Sequence, residues 1–351
     1  MTRRRLGSVG RMWAVVACLL VAGPVACGGS GDAGTDGAEV RVLRMPTGAG
    51  GVGFLPLRVM QAEGLIEARA REAGLADLEV EWIEVGGPSV LNDALLSGSI
   101  DFIAAGPPAF ITLWDRTRTS VQVMGVAAVS ALPMYLNTHA AHLQSVDDLT
   151  EGDKVAVTAI KVSIPSLVMQ MYARDRYGAA EAERFDRYTV AMTHPDGVTA
   201  LLSGSNAVNA HFTSPPFHQR ERRDPRVRTI MSSDDVMGGT TTFVMLSTVA
   251  AFRERNPTVY NAVLAALGDA QARIAADRTA AARALVAAEG EGGFTAEDLV
   301  TVLEDPAVVF TTTPQNVMKY ATFMHDIGSI TNLPTTWQDL FFPEIHAADG
   351  N

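Results

Sequence analysis

The chain has 351 residues, of which 47% are hydrophobic and 19% are charged, a composition and length that suit a globular protein of two domains. Its 28 basic and 39 acidic residues give a net charge of −11, and no long Lys/Arg run follows the N-terminus, so a nucleic-acid partner is excluded. Both cysteines, Cys18 and Cys27, lie near the N-terminus, which leaves the predicted folded part without thiols for disulfides, metal sites or nucleophilic catalysis.

The first 26 residues predict a lipoprotein signal peptide. A basic head of four arginines precedes an apolar run over 13–25, which is shorter than the roughly 20 residues that a membrane-spanning helix needs. Cys27 follows Val25 and Ala26 and resembles the lipidated cysteine of bacterial lipoproteins, with Cys18 as an alternative. We therefore expect an exported protein, lipid-anchored in the periplasm or on the outer face of the cell membrane. Residues 2–6 leave twin-arginine export open beside the general route.

A Gly-, Ser- and Asp-rich segment follows, and its composition predicts a flexible tether over 27–39. From Val40 the chain alternates β-branched runs with helical patterns. Strands are expected at 40–45, 78–85 and 100–104, and helices at 55–73 and 89–97. This alternation predicts a parallel sheet with helices packed on it.

The same alternation restarts in the middle of the chain and predicts a second lobe. Strands are expected at 154–158, 185–189 and 207–212, and helices at 163–177 and 195–203. Two short extended segments, 133–137 and 241–246, are suited to be paired hinge strands. After Ser247 the pattern is mainly helical, with Asn256 as an N-cap and an Ala-rich stretch over 262–288 that we expect to pack on the first lobe.

Several short motifs, in this order and spacing, carry a resemblance that covers residues 40–345. They are 53–57 (GFLPL), 64–66 (GLI), 94–101 (ALLSGSID), 106–109 (GPPA), 145–149 (SVDDL), 200–204 (ALLSG) and 256–257 (NP). With them the chain resembles the nitrate/sulfonate/taurine branch of ABC-importer substrate-binding proteins, which shares its fold with thiamine-pyrimidine-precursor binders.

The resemblance implies an α/β protein with the two-lobed, type II periplasmic-binding-protein fold, its lobes joined by two hinge strands. The expected divisions are first lobe 40–134, second lobe 135–244, and a mainly helical return to the first lobe over 245–351. Such a protein binds a small organic or oxyanion solute in the cleft and delivers it to a permease and its ATPase. We expect a monomer that is not an enzyme and uses no cofactor or metal.

Solute contacts are expected where strands end and helices begin, because helix N-termini present free N–H groups there. The glycine loop 47–53 is the first of four such corners, and the other three follow the strands that end near 85, 105 and 158. The strand end near 212 is expected to face the last of them. The residues expected to contact the solute are Thr47, Gly48, Gly53, Phe54, Gly87, Ser89, Gly106, Pro107, Thr158, Ser163, His211 and Thr213. Since these loops carry few positive charges, backbone amides and hydroxyls are expected to hold an anionic solute.

Two other functions stay open. A thiamine-pyrimidine-precursor binder would use the same fold. A secreted nicotinamide-dependent oxidoreductase is suggested by the G-x-G-x-x-G pattern at 48–53 with Glu84 after the next strand, although the sequence lacks an obvious catalytic His/Lys set. His211 and Lys161 are read as a strand-end histidine and a solvated loop charge.

Overall fold

The computed structural model describes residues 38–84, 86–204, 207–290 and 293–351. The signal peptide, Cys18, Cys27 and most of the expected tether therefore lie outside the described residues. The strands are β1 (Val42–Pro46), β2 (Glu79–Ile83), β3 (Ile103–Ala105), β4 (Val123–Ala131), β5 (Tyr135–Thr138), β6 (Val155–Val157), β7 (Thr189–Ala191), β8 (Ala210–Thr213), β9 (Arg228–Ser232) and β10 (Thr242–Val249).

The α-helices alternate with these strands and then dominate the last third of the chain. They are α1 (Leu55–Glu63), α2 (Leu65–Glu72), α3 (Pro88–Leu96), α4 (Pro107–Thr117), α5 (Ile164–Tyr177), α6 (His194–Leu202), α7 (Phe217–Arg222), α8 (Ser233–Met237), α9 (Ala250–Arg255), α10 (Pro257–Ala276), α11 (Arg278–Glu289), α12 (Ala296–Leu303) and α13 (Val317–Asp326). No helix in these described ranges has both the length and the apolar composition needed to cross a bilayer.

The strands form three sheets, and the predicted two-lobed α/β fold is confirmed. In the first lobe β1 pairs in parallel with β2, and β10 lies between β3 and β4 and runs antiparallel to both. The second lobe holds a five-stranded sheet in the order β7-β6-β8-β5-β9. Its central strands β6 and β8 are fully buried, as expected for β-branched and apolar runs covered on both faces.

The chain passes between the lobes twice, after β4 and after β9. The two segments expected to pair as hinge strands belong instead to different sheets: β5 pairs with β8 and β9, and β10 pairs with β3 and β4. Each segment finds its hydrogen bonds within a lobe, so they do not form a ladder with each other. The divisions at 134/135 and 244/245 stay predictions.

Local chemistry explains where the elements differ from expectation. The helix expected over 55–73 is divided because Gly64 adopts φ +57° between α1 and α2. The strand expected at 185–189 is a 3-10 turn, Asp186–Tyr188, which buries Phe185 and Tyr188 before β7 begins. Buried aromatic residues are compatible with either structure. The sequence pattern therefore placed the strand at 185–189, whereas β7 begins at Thr189.

The long helix after β10 packs on the first two helices of the chain. α10 lies against α1 and α2. Asn256 precedes it but does not cap it, because its side-chain oxygen accepts a hydrogen bond from the Val40 amide at 2.9 Å. Asp277 does act as a cap: its Oδ1 accepts from the Ala280 amide at 2.8 Å and starts α11.

Candidate functional site

A cavity of about 650 Å³ is lined by residues from both lobes. The first lobe contributes the glycine loop after β1, the loop after β2, Arg58 of α1 and the C-terminal end of α11. The second lobe contributes Thr158 after β6, the start of α6, and α7. These loop and helix ends meet beyond the carboxyl ends of β1, β2 and β6, which is where an open α/β sheet places a ligand.

A smaller cavity of about 60 Å³ lies beside the first and shares Ala49, Thr158 and His194 with it. Its remaining lining is mainly apolar: Phe54, Leu91, Ala104, Ala105, Gly106, Met134, Val162, Ser163, Ile164, Pro165 and Phe243. The shared residues make the two cavities one continuous candidate site with a wide region and a narrow apolar extension.

The glycine loop reaches the cavity because its backbone adopts conformations that side chains disfavour. Gly48, Gly50 and Gly51 have φ values of +86°, +88° and +85°. A Cβ on Gly48 would also lie 2.2 Å from Cδ1 of Phe54. The loop can therefore lie flat against Phe54 and present its backbone to the cavity only with glycine at these positions.

A carboxylate of the protein already occupies one amide of this loop. The Gly51 amide donates to both oxygens of Glu289, at 3.1 and 3.0 Å. Arg58 lies alongside, with Nε 3.6 Å from Oε1 of Glu289, and this buried Nε makes no hydrogen bond. Burial raises the pKa of Glu289, an effect that the Gly51 amide and Arg58 only partly offset.

On the opposite wall, His194 begins α6 and lines both cavities. Its Nδ1 lies 3.2 Å from Nε2 of His211 and 3.2 Å from Oγ1 of Thr213. Burial, together with the neighbouring His211, holds the pKa of His194 well below its ordinary value, so the ring is neutral. Since Nδ1 is engaged inside the lobe, Nε2 is the ring nitrogen that can meet a solute.

His211 is held in turn by a fully buried carboxylate. Its Nδ1 lies 2.6 Å from Oε1 of Glu221, and the other oxygen of Glu221 accepts from Asn137 at 2.7 Å. The strand register explains this cluster, because Asn137 and His211 are directly opposed in the β5–β8 pair. We call Glu221, His211 and His194 the buried relay; it fixes the orientation of the cavity-lining His194.

The cavity also has an aromatic wall. The rings of His194 and Phe217 are stacked with centroids 5.5 Å apart, and Phe294 meets Phe217 edge to face at 6.3 Å. Leu285 and Leu299 extend this apolar surface. An apolar or aromatic part of a solute would lose its contact with water against this wall.

The structure brings many of the predicted site residues together. Thr47, Gly48 and Gly87 line the wide cavity, Phe54, Gly106 and Ser163 line the narrow one, and Thr158 lines both. His211 and Thr213 lie behind His194 and reach the cavities only through it. Whether these residues contact a solute stays a prediction.

The remaining predicted residues lie outside both cavity linings. Gly53 packs against Phe243, where a Cβ would lie 2.3 Å from the ring. Pro107 is buried in the first turn of α4. Ser89 was expected to cap a helix, but α3 begins at Pro88, so Gly87 is the N-cap and Ser89 is an exposed first-turn residue.

Several lining residues were not found from the sequence, among them Arg58, His194, Arg220 and Glu289. The positive charges of the cavity therefore come from helices and not from the loops where they were sought. The sequence did contain a signal for His194, because Thr193 and Pro195 on either side of it are typical of a helix start after a strand. Lys161 lies outside both linings and pairs with Glu183 at 2.7 Å, as expected for a solvated loop charge.

The alternative dinucleotide site does not fit this geometry. A dinucleotide-binding domain needs a continuous parallel sheet beside the glycine loop, whereas β1 and β2 form a separate two-stranded sheet. Nor do the described residues contain a group of three or more His, Cys, Asp or Glu side chains arranged to hold a metal ion.

No protein-family profile matches the chain, and no curated protein matches it in sequence. Solved structures do resemble it. The alkanesulfonate-binding protein of Xanthomonas axonopodis pv. citri, bound to MOPS, is 18% identical with a TM-score of 0.63, over 85% of this chain and 96% of that one. The periplasmic nitrate-binding protein of Synechocystis PCC 6803 is 16% identical with a TM-score of 0.64, over 86% and 85%.

A third solved structure is a Candida albicans protein described as having the generic periplasmic-binding-protein fold. It is 14% identical with a TM-score of 0.60, over 86% of this chain and 94% of that one. At this level of identity the likeness establishes the fold. Together with the three sheets described above, it identifies the chain as a two-lobed protein of the periplasmic-binding-protein fold.

Proposed function

We propose that this protein is the extracytoplasmic solute-binding component of an ABC importer. The observation that carries the proposal is the cavity of about 650 Å³ lined by helix ends and loops of both lobes. The fold supports the same conclusion, since two of the similar structures are named as alkanesulfonate- and nitrate-binding proteins. The solute would bind between the lobes, and the closed form would be recognised by a permease whose partner ATPase drives uptake.

Its solute is a small organic acid with an apolar or aromatic part. The volume of the wide cavity falls in the range of pockets for small organic molecules, and its aromatic wall would leave an inorganic ion such as nitrate without partners on that side. Arg58 and Arg220 supply positive charge, Glu84 and Glu289 supply negative charge, and Thr47 and Thr158 supply hydroxyl groups. A sulfonate or carboxylate headgroup satisfies these donors best.

The proposed action is binding without chemistry. A solute that touches both lobes stabilises the closed arrangement by its differential affinity for it, and no bond is broken. The buried relay is not a catalytic arrangement in this proposal. Glu221 and His211 are fully buried within the lobe, and only His194 lines the cavities.

A screen of the purified protein by thermal shift and calorimetry tests this proposal. The probes are organic sulfonates such as MOPS and ethanesulfonate, aromatic carboxylates, nitrate, pyrimidine precursors of thiamine, and nicotinamide dinucleotides. We expect micromolar binding of an organic acid. Micromolar binding of a dinucleotide alone would overturn the transport function, and binding of a pyrimidine alone would support the thiamine-precursor alternative.

A cavity-filling substitution locates the binding. Ala49 is exposed and lines both cavities, so Ala49→Trp should fill the site and weaken binding at least tenfold while the protein stays folded. Ala141 is also exposed but lies away from both linings, and Ala141→Trp is the matched control. Equal affinity of the two variants would place the solute elsewhere.

We further propose export and lipid anchoring at Cys27. The supporting features are the basic head, the apolar run and the Gly-rich segment after Cys27. Mass spectrometry of protein from the membrane fraction should find an acylated N-terminal Cys27, and Cys27→Ser should move the protein to the soluble fraction. Retention in the membrane by Cys27→Ser and its loss in Cys18→Ser would assign the anchor to Cys18 instead.

A further inference from the structure

Glu289 is placed where an anionic solute would be expected. Its two carboxylate oxygens share the single N–H of Gly51 in a bifurcated hydrogen bond, the carboxylate lies 3.6 Å from Nε of Arg58, and the residue lines the wide cavity. A backbone amide on a positive-φ glycine loop and a nearby guanidinium are the groups that bind carboxylates and sulfonates in proteins. The protein therefore supplies an acid group of its own to this corner of the site.

Three features show that Glu289 is a poor occupant. It is the last residue of α11, where the negative end of the helix dipole disfavours an acid. Burial of the carboxylate raises its pKa, which means that burial destabilises the ionised form in this position. Both oxygens are engaged by Gly51, while the buried Nε of Arg58 has no hydrogen-bond partner.

The Glu289 carboxylate can also move from Gly51 into solvent. The side chain of Glu289 is 23% exposed, so it already borders solvent at the end of α11. Once hydrated, the carboxylate would regain the solvation that burial removes. A sulfonate has a third oxygen, so it can accept from Gly51 and also from Nε of Arg58, which pairs with Glu289 by charge but makes no hydrogen bond.

We propose that Glu289 is an internal competitor that sets the specificity of the site: the acid group of the solute binds by displacing the Glu289 carboxylate from Gly51 and Arg58. The inference rests on the proposed function and assigns the solute class more narrowly, to singly charged carboxylates and sulfonates. A neutral solute gains nothing from this exchange. Removing the Glu289 side chain should therefore raise affinity for small acid groups as such.

The experiment uses acetate and ethanesulfonate as probes, titrated against chloride at constant ionic strength. Wild type, Glu289→Ala and the control Glu72→Ala are compared; Glu72 is likewise the last residue of a helix, but lies outside the cavity linings. The readouts are the thermal unfolding midpoint and the resonance of the Gly51 amide. We expect the half-saturating concentration of both probes to be at least tenfold lower in Glu289→Ala than in wild type and Glu72→Ala.

Similar probe concentrations for all three proteins, or no response of the Gly51 amide in Glu289→Ala, would overturn the inference. Should Glu289→Ala fail to fold, Glu289→Gln keeps the size of the side chain, removes its charge, and serves in the same comparison. If the proposed function itself is wrong, the experiments give a different result. In that case no organic solute binds at micromolar concentration, although acetate still fills the corner emptied in Glu289→Ala.

Discussion

Replacing Gly197 by alanine should destabilise the protein, although glycine is a poor residue inside a helix. Gly197 lies within α6, against the ring of His211. A Cβ there would lie 2.5 Å from Nε2 and 2.6 Å from Cε1 of that ring, which is well inside van der Waals contact. His211 cannot move aside, because it is fully buried and held by Glu221 at 2.6 Å.

The size of the effect follows from two opposing contributions. Alanine gains up to about 1 kcal/mol of helix propensity over glycine. Overpacking a rigid core costs about 1–3 kcal/mol, and displacing His211 from its buried hydrogen bonds costs about 1–3 kcal/mol more. We therefore expect Gly197→Ala to lower the free energy of unfolding by about 1–5 kcal/mol, and to weaken solute binding because His194 shifts with His211.

Urea denaturation followed by circular dichroism measures this change, and Gly268 provides the matched control. Gly268 is also inside a helix, α10, but a Cβ there would meet no atom within 4 Å. Gly268→Ala should therefore stabilise the protein by about 0.5–1 kcal/mol. If both variants were stabilised to the same extent, the packing of α6 on His211 described above would be wrong.

Three further predictions concern the buried polar groups and a helix cap. Glu221→Gln replaces the fully buried carboxylate whose Oε1 lies 2.6 Å from Nδ1 of His211, and we expect it to lower the free energy of unfolding by about 1–3 kcal/mol in urea denaturation; a loss below about 0.5 kcal/mol would contradict this contact. Burial lowers the pKa of His194 well below its ordinary value, and it lowers the pKa of His218, which lies in α7 with its ring stacked on Tyr135, to about 4. Both rings therefore stay neutral in the folded protein and take up protons on unfolding below pH 6.5. The stability they contribute is fully present above pH 6.5 and is lost as the pH falls toward 4, with a slope of about 1.4 kcal/mol per pH unit per proton; denaturation midpoints between pH 7.5 and 4.5 measure the slope, and His218→Gln should reduce it. Asp277→Ala removes the cap of α11 and should cost about 1 kcal/mol, whereas an unchanged midpoint would show that the cap contributes nothing.

Elements defined by local pattern were predictable from the sequence. β1, β6 and α5 were found within two residues of their observed bounds because their apolar residues repeat with the period of a buried strand or helix. The glycine loop was also recognisable, since only glycine suits its positive φ values. The corners that line the two cavities follow from these elements and from the rule that ligands lie beyond the carboxyl ends of strands.

The chemistry inside the site was harder to predict, because it joins residues that are far apart in the chain. Glu289 and Gly51 are separated by 238 positions, and nothing near Glu289 in the Ala-rich helix indicates its partner. The buried relay depends on how α6 packs on β8 and on the register of β5 with β8, neither of which a local pattern specifies. His211 was therefore noticed as a strand-end residue, while His194, which lines the cavities, was not.

The central claim is that an organic acid binds between the lobes, against the glycine loop on one side and His194 on the other. A crystal structure of the protein with the tightest organic acid from the screen tests it most directly. We predict that the acid group lies within hydrogen-bonding distance of the Gly51 amide and Arg58, with Glu289 turned away and the apolar part on the aromatic wall. A solute bound outside both cavities, with Glu289 still on Gly51, would contradict the claim.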